Sequence, residues 1–337
     1  MEQQQRRPWR RWVVLALLIF GCAIGGGLSF LGLKGIPPVQ PEITVAAEKI
    51  IEEPLFTLPA PFGPFYLVNT IPTLILTIIL LLWLAAATRR SLQQSAATDL
   101  VPRGIGNAME AILEMLYNLT ESSAGSRWAR TIFPWFATIM IYVLFANLLR
   151  LLPGFESIGV IHPAHGEGHA IQQLGGLVNI LPEKVEEGGY ILAPFFRGIS
   201  VDLNFTVALA LIAVIAVQVI GIRAQGGGYF SKFFNTRRMF KVPFFGAMDF
   251  LVGLLELISE LSRILSFAFR LFGNMFAGVV LVAVVSGLLG FFSIVPAMLF
   301  MFELFVGVIQ AFVFGMLTMV FMAQATQGHG EEHAESH

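Results

Sequence analysis

The chain has 337 residues, of which 56% are hydrophobic and only 13% are charged. Soluble domains carry about 25% charged residues, so this composition, with a mean hydropathy of +0.75, indicates a polytopic membrane protein. Basic residues are few and scattered, which argues against nucleic-acid binding, and the single cysteine, Cys22, excludes an intramolecular disulfide.

The N-terminal region contains one hydrophobic segment and a linker. Residues 6–11 (RRPWRR) precede an apolar run from Trp12 to about Leu33. This pattern predicts either an uncleaved signal-anchor helix or a cleaved signal peptide over residues 1–33. The run is long for a signal peptide and no small-x-small site closes it, which favours the anchor. Residues 34–64 are rich in proline and mixed in charge, and we expect an outer-side linker there.

Five further apolar elements follow, so the sequence predicts an all-α polytopic membrane protein with about six membrane segments. The predicted elements are residues 66–88, 128–152, 201–222, 247–289 and 296–323. At 1.5 Å per residue the fourth could reach roughly 60 Å, about twice the ~30 Å hydrocarbon core, so it must tilt steeply or break. With the last span it would form a long C-terminal helical hairpin.

Other regions between and after these spans are more polar. Residues 105–119 are amphipathic, and we expect a surface helix packed on the bilayer or on the bundle. Residues 155–198 hold three histidines with a spacing that could bind a metal, His162, His165 and His169. Glycine and proline in that run argue against a preformed site, and we interpret it as a solvated polar loop. The acidic tail, residues 326–337, is expected to be disordered.

Basic residues are distributed unevenly between the two sides that these spans define. Residues 1–11, 89–130 and 223–241 hold fourteen of them, whereas the loops of the other side hold five. The positive-inside rule therefore predicts that the basic loops lie in the cytoplasm, together with both termini if the first segment is not cleaved. Residues 34–64 and 155–198 would then face outward.

The stretch Leu254–Val279 carries a polar stripe on an otherwise apolar helix. At about 100° per residue, five side chains fall within roughly one quarter of the circumference: Glu256, Glu260, Arg263, Arg270 and Asn274. The two acids can compensate the charge of Arg263, whereas Arg270 has no acid within four residues on either side. Arg270 must therefore face an aqueous cavity or a charge on another protein. The alternative, an interfacial helix with a snorkelling basic edge, is disfavoured by the uncharged run at residues 271–302.

The last span adds Glu303 and Gln310, seven residues apart and hence on one helix face. A carboxyl group in an apolar setting can bind and release protons near neutral pH. Arg270 keeps its charge and will not relay a proton, but it can attract a carboxylate on a moving partner and drive loss of its proton. These groups suit ion conduction through two half-paths, as in a rotary proton motor.

Residues 269–278 (FRLFGNMFAG) closely resemble the signature of subunit a of F-type ATP synthases. Supporting matches occur at residues 201–206 (VDLNFT), from Asn147-Leu148 through Pro153, and at residues 309–314 (IQAFVF), and the resemblance covers about residues 50–325 in order. It implies a membrane domain over residues 65–325 that acts as a stator subunit of the Fo sector. Such a subunit conducts ions and is not an enzyme, and the sequence has no G-x-x-x-x-G-K-[ST] loop.

The resemblance also implies roles for individual residues. Arg270 would be the essential arginine that faces the carboxylates of the c-subunit ring, and Glu256 would line the cytoplasmic half-channel, which Glu260 extends. The outer half-channel and its junction with the arginine would comprise Asp202, Asn204, Asn274, Glu303 and Gln310. At Val279 many members carry Glu or His, so Glu303 alone would serve as the outer relay.

The implied surroundings are a bacterial inner membrane, a c-subunit ring, b-type peripheral stalk subunits and the remaining ATP synthase subunits. No cofactor and no metal are expected. The choice between H⁺ and Na⁺ depends mainly on the c ring, and the absence of an obvious sodium cage in the sequence favours protons. Two other readings stay open at this point. A secondary transporter or ion channel would use Arg270 to bind an anion, and an assembly scaffold would tolerate its loss.

Overall fold

The fold is described from a computed structural model of the chain. It describes residues 47–51, 53–59, 63–98, 104–152, 155–156, 158–163, 168–174, 177–185, 188–232, 243–289 and 294–327. The predicted first membrane segment, at residues 12–33, and most of the acidic tail lie outside these residues.

Helices dominate the described part of the chain. They are α1 (Thr70–Thr98), α2 (Ile105–Arg150), α3 (Leu203–Gln225), α4 (Pro243–Leu289) and α5 (Ile294–Thr326). All five are long and apolar enough to cross a membrane, which confirms the predicted all-α polytopic class. Helix α4 runs through its glycines as one continuous helix of 47 residues, about 70 Å long at 1.5 Å per residue, so the sequence alternative of a broken helix was wrong.

Helix α1 extends farther than the predicted span, which ended at residue 88. It continues through Arg89 and Arg90 to Thr98, because charges end a membrane span without ending a helix, and Arg, Leu and Gln all favour helix. The membrane part exposes large apolar side chains, including Ile79 and Leu82, which are 58% and 66% exposed. This face is suited to lipid or to a partner helix.

Helix α2 joins the predicted amphipathic piece to the predicted second span through a kink at Gly125. Gly125 has φ 73° and ψ 159°, a conformation that is essentially restricted to glycine. The amphipathic piece is held to the bundle by Leu116, which is fully buried, and this supports a surface helix packed on the bundle.

The core lies where α2, α3 and α5 meet. Apolar side chains on all three helices are fully or almost fully buried there, among them Phe136, Ile220 and Met319. At Gly315 of α5 an added Cβ would lie 2.8 Å from Met140 Cβ, so a side chain at this position would force α5 away from α2.

The two segments predicted to face outward contain strands that were not expected from the sequence. In the linker, β1 (Phe56–Leu58) pairs antiparallel with β2 (Gly63–Phe65). In place of the predicted polar loop, four antiparallel strands form a sheet in the order β3-β6-β4-β5: β3 (Gly159–Pro163), β4 (Gly168–Leu174), β5 (Leu177–Val185) and β6 (Tyr190–Pro194). Short runs rich in Val, Ile, Leu and Tyr, separated by glycine turns, favour such hairpins.

The chain divides into two compact units. One contains Gly159–Pro194 and Ala277–Phe305, and therefore the sheet. The other contains Val45–Ile158, Phe195–Phe276 and the chain from Val306 onward, and therefore the helical core.

Candidate functional site

The first part of the polar stripe on α4 is an internal ion pair. Arg263 Nη1 donates to both carboxylate oxygens of Glu260 at 2.8 and 2.9 Å, and the two side chains are 18% and 8% exposed. The guanidinium of Arg263 also stacks over the ring of Phe321 of α5, 4.0 Å from its centroid. Arg263 is therefore compensated within the chain by a carboxylate and by an aromatic face.

Arg270 has different surroundings. Its side chain is exposed, and its Nη2 donates to Ser266 Oγ of the same helix at 3.2 Å. The neighbouring positions Leu271 and Met275 are buried, so the helix is anchored while the guanidinium faces outward. Within the residues that the structure describes, Arg270 forms no ion pair. Since an arginine in hydrocarbon costs about 2.5–3.5 kcal/mol on insertion scales, it is placed for water or an anionic partner.

One turn beyond Arg270, α4 and α5 are joined by a hydrogen bond between two amide side chains. Asn274 Nδ2 donates to Gln310 Oε1 at 2.7 Å. Gln310 is only 3% exposed, and its Nε2 atom is buried without a hydrogen-bond partner among the described residues. The structure thus brings together two of the predicted site residues and leaves one buried donor available to a water or a partner group.

Asp202 is buried and caps α3. Its Oδ1 accepts a hydrogen bond from the backbone N–H of Asn204 at 3.0 Å, and its Oδ2 accepts one from Thr70 Oγ1 of α1 at 3.1 Å. Asp202 therefore has a structural role in addition to any role in ion conduction. It accepts a hydrogen bond from a backbone N–H in the first turn of α3, and it links this turn to α1. The side chain of Asn204 is exposed.

Glu303 of α5 is buried against Gly278 of α4. It is 8% exposed, and a Cβ added at residue 278 would collide with its Oε1 atom. The glycine in the quoted motif thus provides the space that this carboxyl group occupies, a link that the sequence alone did not predict.

A buried hydrogen-bond network at the end of α2 was also not predicted from the sequence. Ser200 Oγ donates to Asn147 Oδ1 at 2.6 Å, and Asn147 Nδ2 donates to the carbonyl oxygen of Gly307 at 3.1 Å. Arg150 Nη1 donates to the carbonyl oxygen of Met275 at 3.3 Å. Asn147 belongs to one of the motifs quoted above, but the sequence did not indicate that its side-chain amide would form hydrogen bonds with Ser200 and with Gly307 of α5.

The histidine-bearing segment shows no metal site among the described residues, where no group of three or more potential ligands comes together. His162 pairs with Ile191 and His169 with Tyr190 across strand β6. Because adjacent residues of β6 point to opposite faces, these two histidines lie on opposite faces of the sheet. His165 lies outside the described residues.

The fold and the site define a class of protein. It is a polytopic membrane protein whose long helices carry an exposed cation, buried carboxyl groups and hydrogen-bonded amides within their apolar lengths.

The chain belongs to the ATP synthase A chain family, whose family model matches residues 70–323. It is similar to ATP synthase subunit a of Helicobacter pylori strain P12, with 30% identity over 76% of this chain and 89% of that protein. The ATP synthase subunit a of Campylobacter jejuni strain 81-176 is 30% identical over 71% of this chain and 85% of its own length. That of Desulforamulus reducens is 29% identical over 66% of this chain and 68% of the relative.

Proposed function

We propose that the chain is the proton-translocating stator subunit of an F-type ATP synthase. It provides two aqueous half-channels to the carboxylates of a c-subunit ring, and Arg270 separates them. The observation that carries the proposal is the guanidinium of Arg270, which is exposed on a membrane-spanning helix and has no ion pair in the described part of the chain.

The outer half-channel leads from the outer surface toward Arg270. Asp202, Asn204 and Glu303 conduct protons in its outer part, and Asn274 and Gln310 form its junction with the arginine. Two observations support this part of the proposal. Asn274 and Gln310 are joined by a 2.7 Å hydrogen bond one turn from Arg270, and Glu303 lies two turns before Gln310 on α5.

The cytoplasmic half-channel is lined by Glu256 and Glu260. A c-subunit carboxylate that has taken up a proton from the outer path is neutral and can enter lipid, so the ring rotates. After nearly a full turn the carboxyl group reaches the Glu256/Glu260 path and releases its proton. The positive charge of Arg270 favours the ionised carboxylate and prevents a direct leak between the two paths.

The subunit conducts ions and makes or breaks no covalent bond. A charge that crosses the membrane potential is worth about 2.3 kcal/mol per 100 mV, so several protons are needed for each ATP made by the other subunits. The partners are the c ring, b-type peripheral stalk subunits and the remaining ATP synthase subunits. The bias in basic residues supports a bacterial inner-membrane protein with residues 89–130 on the cytoplasmic side, together with both termini if the first segment is not cleaved.

The test is proton pumping in inverted membrane vesicles that carry Arg270→Ala. ATP-driven acidification and passive proton leak are measured beside wild type, and co-purification of the c and b subunits reports assembly. The matched control is Arg89→Ala, which removes an exposed arginine outside the polar stripe. Loss of pumping with assembly intact is the expected result, together with increased leak. Normal coupled pumping would overturn the proposal and favour the scaffold reading.

A further inference from the structure

A groove between α2 and α3 is lined by none of the residues that we assign to the half-channels. Its floor is formed by Ile139 and Leu209, which are buried, and its rim by Trp135 and Ile212, which are 41% and 51% exposed. Its volume is about 350 Å³, similar to that of small-molecule sites. Because the walls are mostly apolar, they suit an apolar occupant.

The length of the groove distinguishes between the apolar occupants that a membrane offers. The groove runs along α2 from Pro134 to Tyr142, which is about 12 Å at 1.5 Å per residue. At its far end the ring of Tyr142 packs on Phe205 of α3, with 6.0 Å between the ring centroids. Half of the ~30 Å hydrocarbon core is about 15 Å. The groove therefore matches the acyl-chain region of one leaflet, whereas a spanning partner helix would need contact over the full core.

Two arginines lie beyond the other end of the groove, on the face of α2 that lines it. At about 100° per residue, Arg127 and Arg130 lie within roughly 20° and 40° of Pro134 around the helix axis, and Arg130 is one turn away from it. Both side chains are exposed, and neither forms an ion pair within the part of the chain that the structure describes. They follow the kink at Gly125 and precede the apolar part of α2.

The position and the charge of these arginines indicate what they bind. The ring of Trp128 lies between them in sequence, 5.8 Å from the guanidinium carbon of Arg127, and tryptophan is enriched at the level of the lipid headgroups. A guanidinium group binds phosphate through parallel hydrogen bonds, and basic residues at a membrane surface attract anionic lipids. The groove and its arginines together fit a molecule that has an acyl chain and a negatively charged headgroup.

We propose that the groove between α2 and α3 binds one acyl chain of an anionic phospholipid, whose phosphate pairs with Arg127 and Arg130. The chain enters beside Pro134 and ends at Tyr142. The lipid comes from the leaflet on the side of residues 89–130. This site makes no use of Arg270, so it stands independently of the proposed proton path.

The test places the complete ATP synthase in phosphatidylcholine vesicles that contain a trace of a photoreactive lipid. The probe is phosphatidylglycerol with a diazirine at the end of one acyl chain, and phosphatidylcholine with the same chain is the zwitterionic comparison. After irradiation, mass spectrometry measures the labelling of peptides that contain residues 134–142 and 209–212. We expect the phosphatidylglycerol probe to label both peptides, and the phosphatidylcholine probe to label them at least about tenfold less.

Variants at equal amounts of assembled complex separate the headgroup from the chain. Arg127→Gln and Arg130→Gln should each lower labelling by phosphatidylglycerol about fivefold, which corresponds to about 1 kcal/mol per charge. Thr138→Trp fills the groove from α2 and should abolish labelling although both arginines remain. The matched control is the double variant Arg89→Gln/Arg90→Gln, which removes two exposed arginines from α1 and should leave labelling unchanged.

Three results would overturn this site. Equal labelling by the two probes would mean that lipid covers the groove without recognition of its headgroup. Unchanged labelling in Arg127→Gln/Arg130→Gln, or an equal fall in the α1 control, would mean that these arginines contribute only general surface charge. No labelling by either probe would mean that another subunit covers the groove in the complex.

Discussion

Arg263 and Arg270 lie about two turns apart on α4, and their surroundings are opposite. Arg263 is bonded to the Glu260 carboxylate and stacked on Phe321, and only 18% of its side chain is exposed. Arg270 is exposed, and its Nη2 donates a hydrogen bond to the hydroxyl of Ser266, one turn earlier on its own helix. Helix α4 thus carries one arginine that is paired with a carboxylate of the same chain and one arginine that is exposed.

The difference shows how to read charges on a membrane helix. A paired cation such as Arg263 stabilises the packing of α4 on α5, and its removal leaves a carboxylate without its partner. A cation without an internal partner does little for the fold of the subunit, so its retention requires another explanation. Substitution of Arg270 should therefore mainly lower proton pumping, whereas substitution of Arg263 should mainly lower the free energy of unfolding.

The largest expected effect concerns proton pumping. Arg270→Gln removes the exposed charge that we propose separates the two half-channels, and we expect ATP-driven acidification in vesicles to fall by at least about a hundredfold, as when a preorganised charge is removed from a site. Arg263→Gln, compared at equal amounts of assembled complex, should keep a measurable fraction of the activity. Equal losses in the two variants would remove the functional distinction between the arginines.

For stability, the larger effect should come from substitution of Arg263 rather than of Arg270. Arg263→Gln breaks a partly buried pair, and we expect the free energy of unfolding of the detergent-solubilised subunit to fall by about 1–3 kcal/mol. Arg270→Gln should change it by less than about 0.5 kcal/mol, as for other exposed positions. Denaturant titration of both variants measures this, and a larger loss in Arg270→Gln would contradict the comparison.

A smaller effect is expected at Gly278, where the chain makes room for a carboxyl group. Gly278→Ala would push Glu303 out of its position, and because Glu303 is a flexible side chain we expect a loss of only about 1 kcal/mol in stability. Pumping should fall more than stability, since the displaced group belongs to the proposed outer path. The double variant Gly278→Ala/Glu303→Ala should regain stability without regaining pumping. Unchanged pumping in Gly278→Ala would argue against a role for the position of this carboxyl group.

The smallest expected effect is the coupling between Asn274 and Gln310. Their 2.7 Å hydrogen bond should give a coupling of about 0.5–1 kcal/mol in a double-mutant cycle of Asn274→Ala and Gln310→Ala. The cycle is measured by thermal unfolding of the purified subunit. Additive effects would mean that the two amides do not interact in the membrane.

The sequence predicted much of the helical fold, because membrane spans follow directly from apolar length. The predicted spans at residues 128–152, 201–222 and 296–323 correspond to parts of α2, α3 and α5. It placed the end of α1 too early, since charge marks the membrane boundary rather than the helix end. The four-stranded sheet was not predicted, because short strands give a much weaker sequence pattern than a membrane span does.

Of the candidate site, periodicity grouped the charged residues of α4 on one helix face but could not show which of them were paired. The guanidinium of Arg263 stacks on Phe321 because of the way α5 packs on α4. The relative position of two packed helices cannot be read from a single sequence. The burial of Tyr229, which follows the glycine-rich turn after α3, was not predicted for a similar reason. A glycine-rich turn permits the chain to reverse, but only the packing against Gly221 shows where the tyrosine goes.

The kink at Gly125 has a consequence for changes in chain length. A side chain at this position would be strained by its positive φ, although the space around it is open, so the corner is fixed by backbone geometry rather than by packing. One residue inserted between Gly125 and the buried Leu116 would rotate the amphipathic arm by about 100° and turn Leu116 out of the core. Insertions and deletions between the buried Leu116 and the kink at Gly125 should therefore destabilise the packing of this arm.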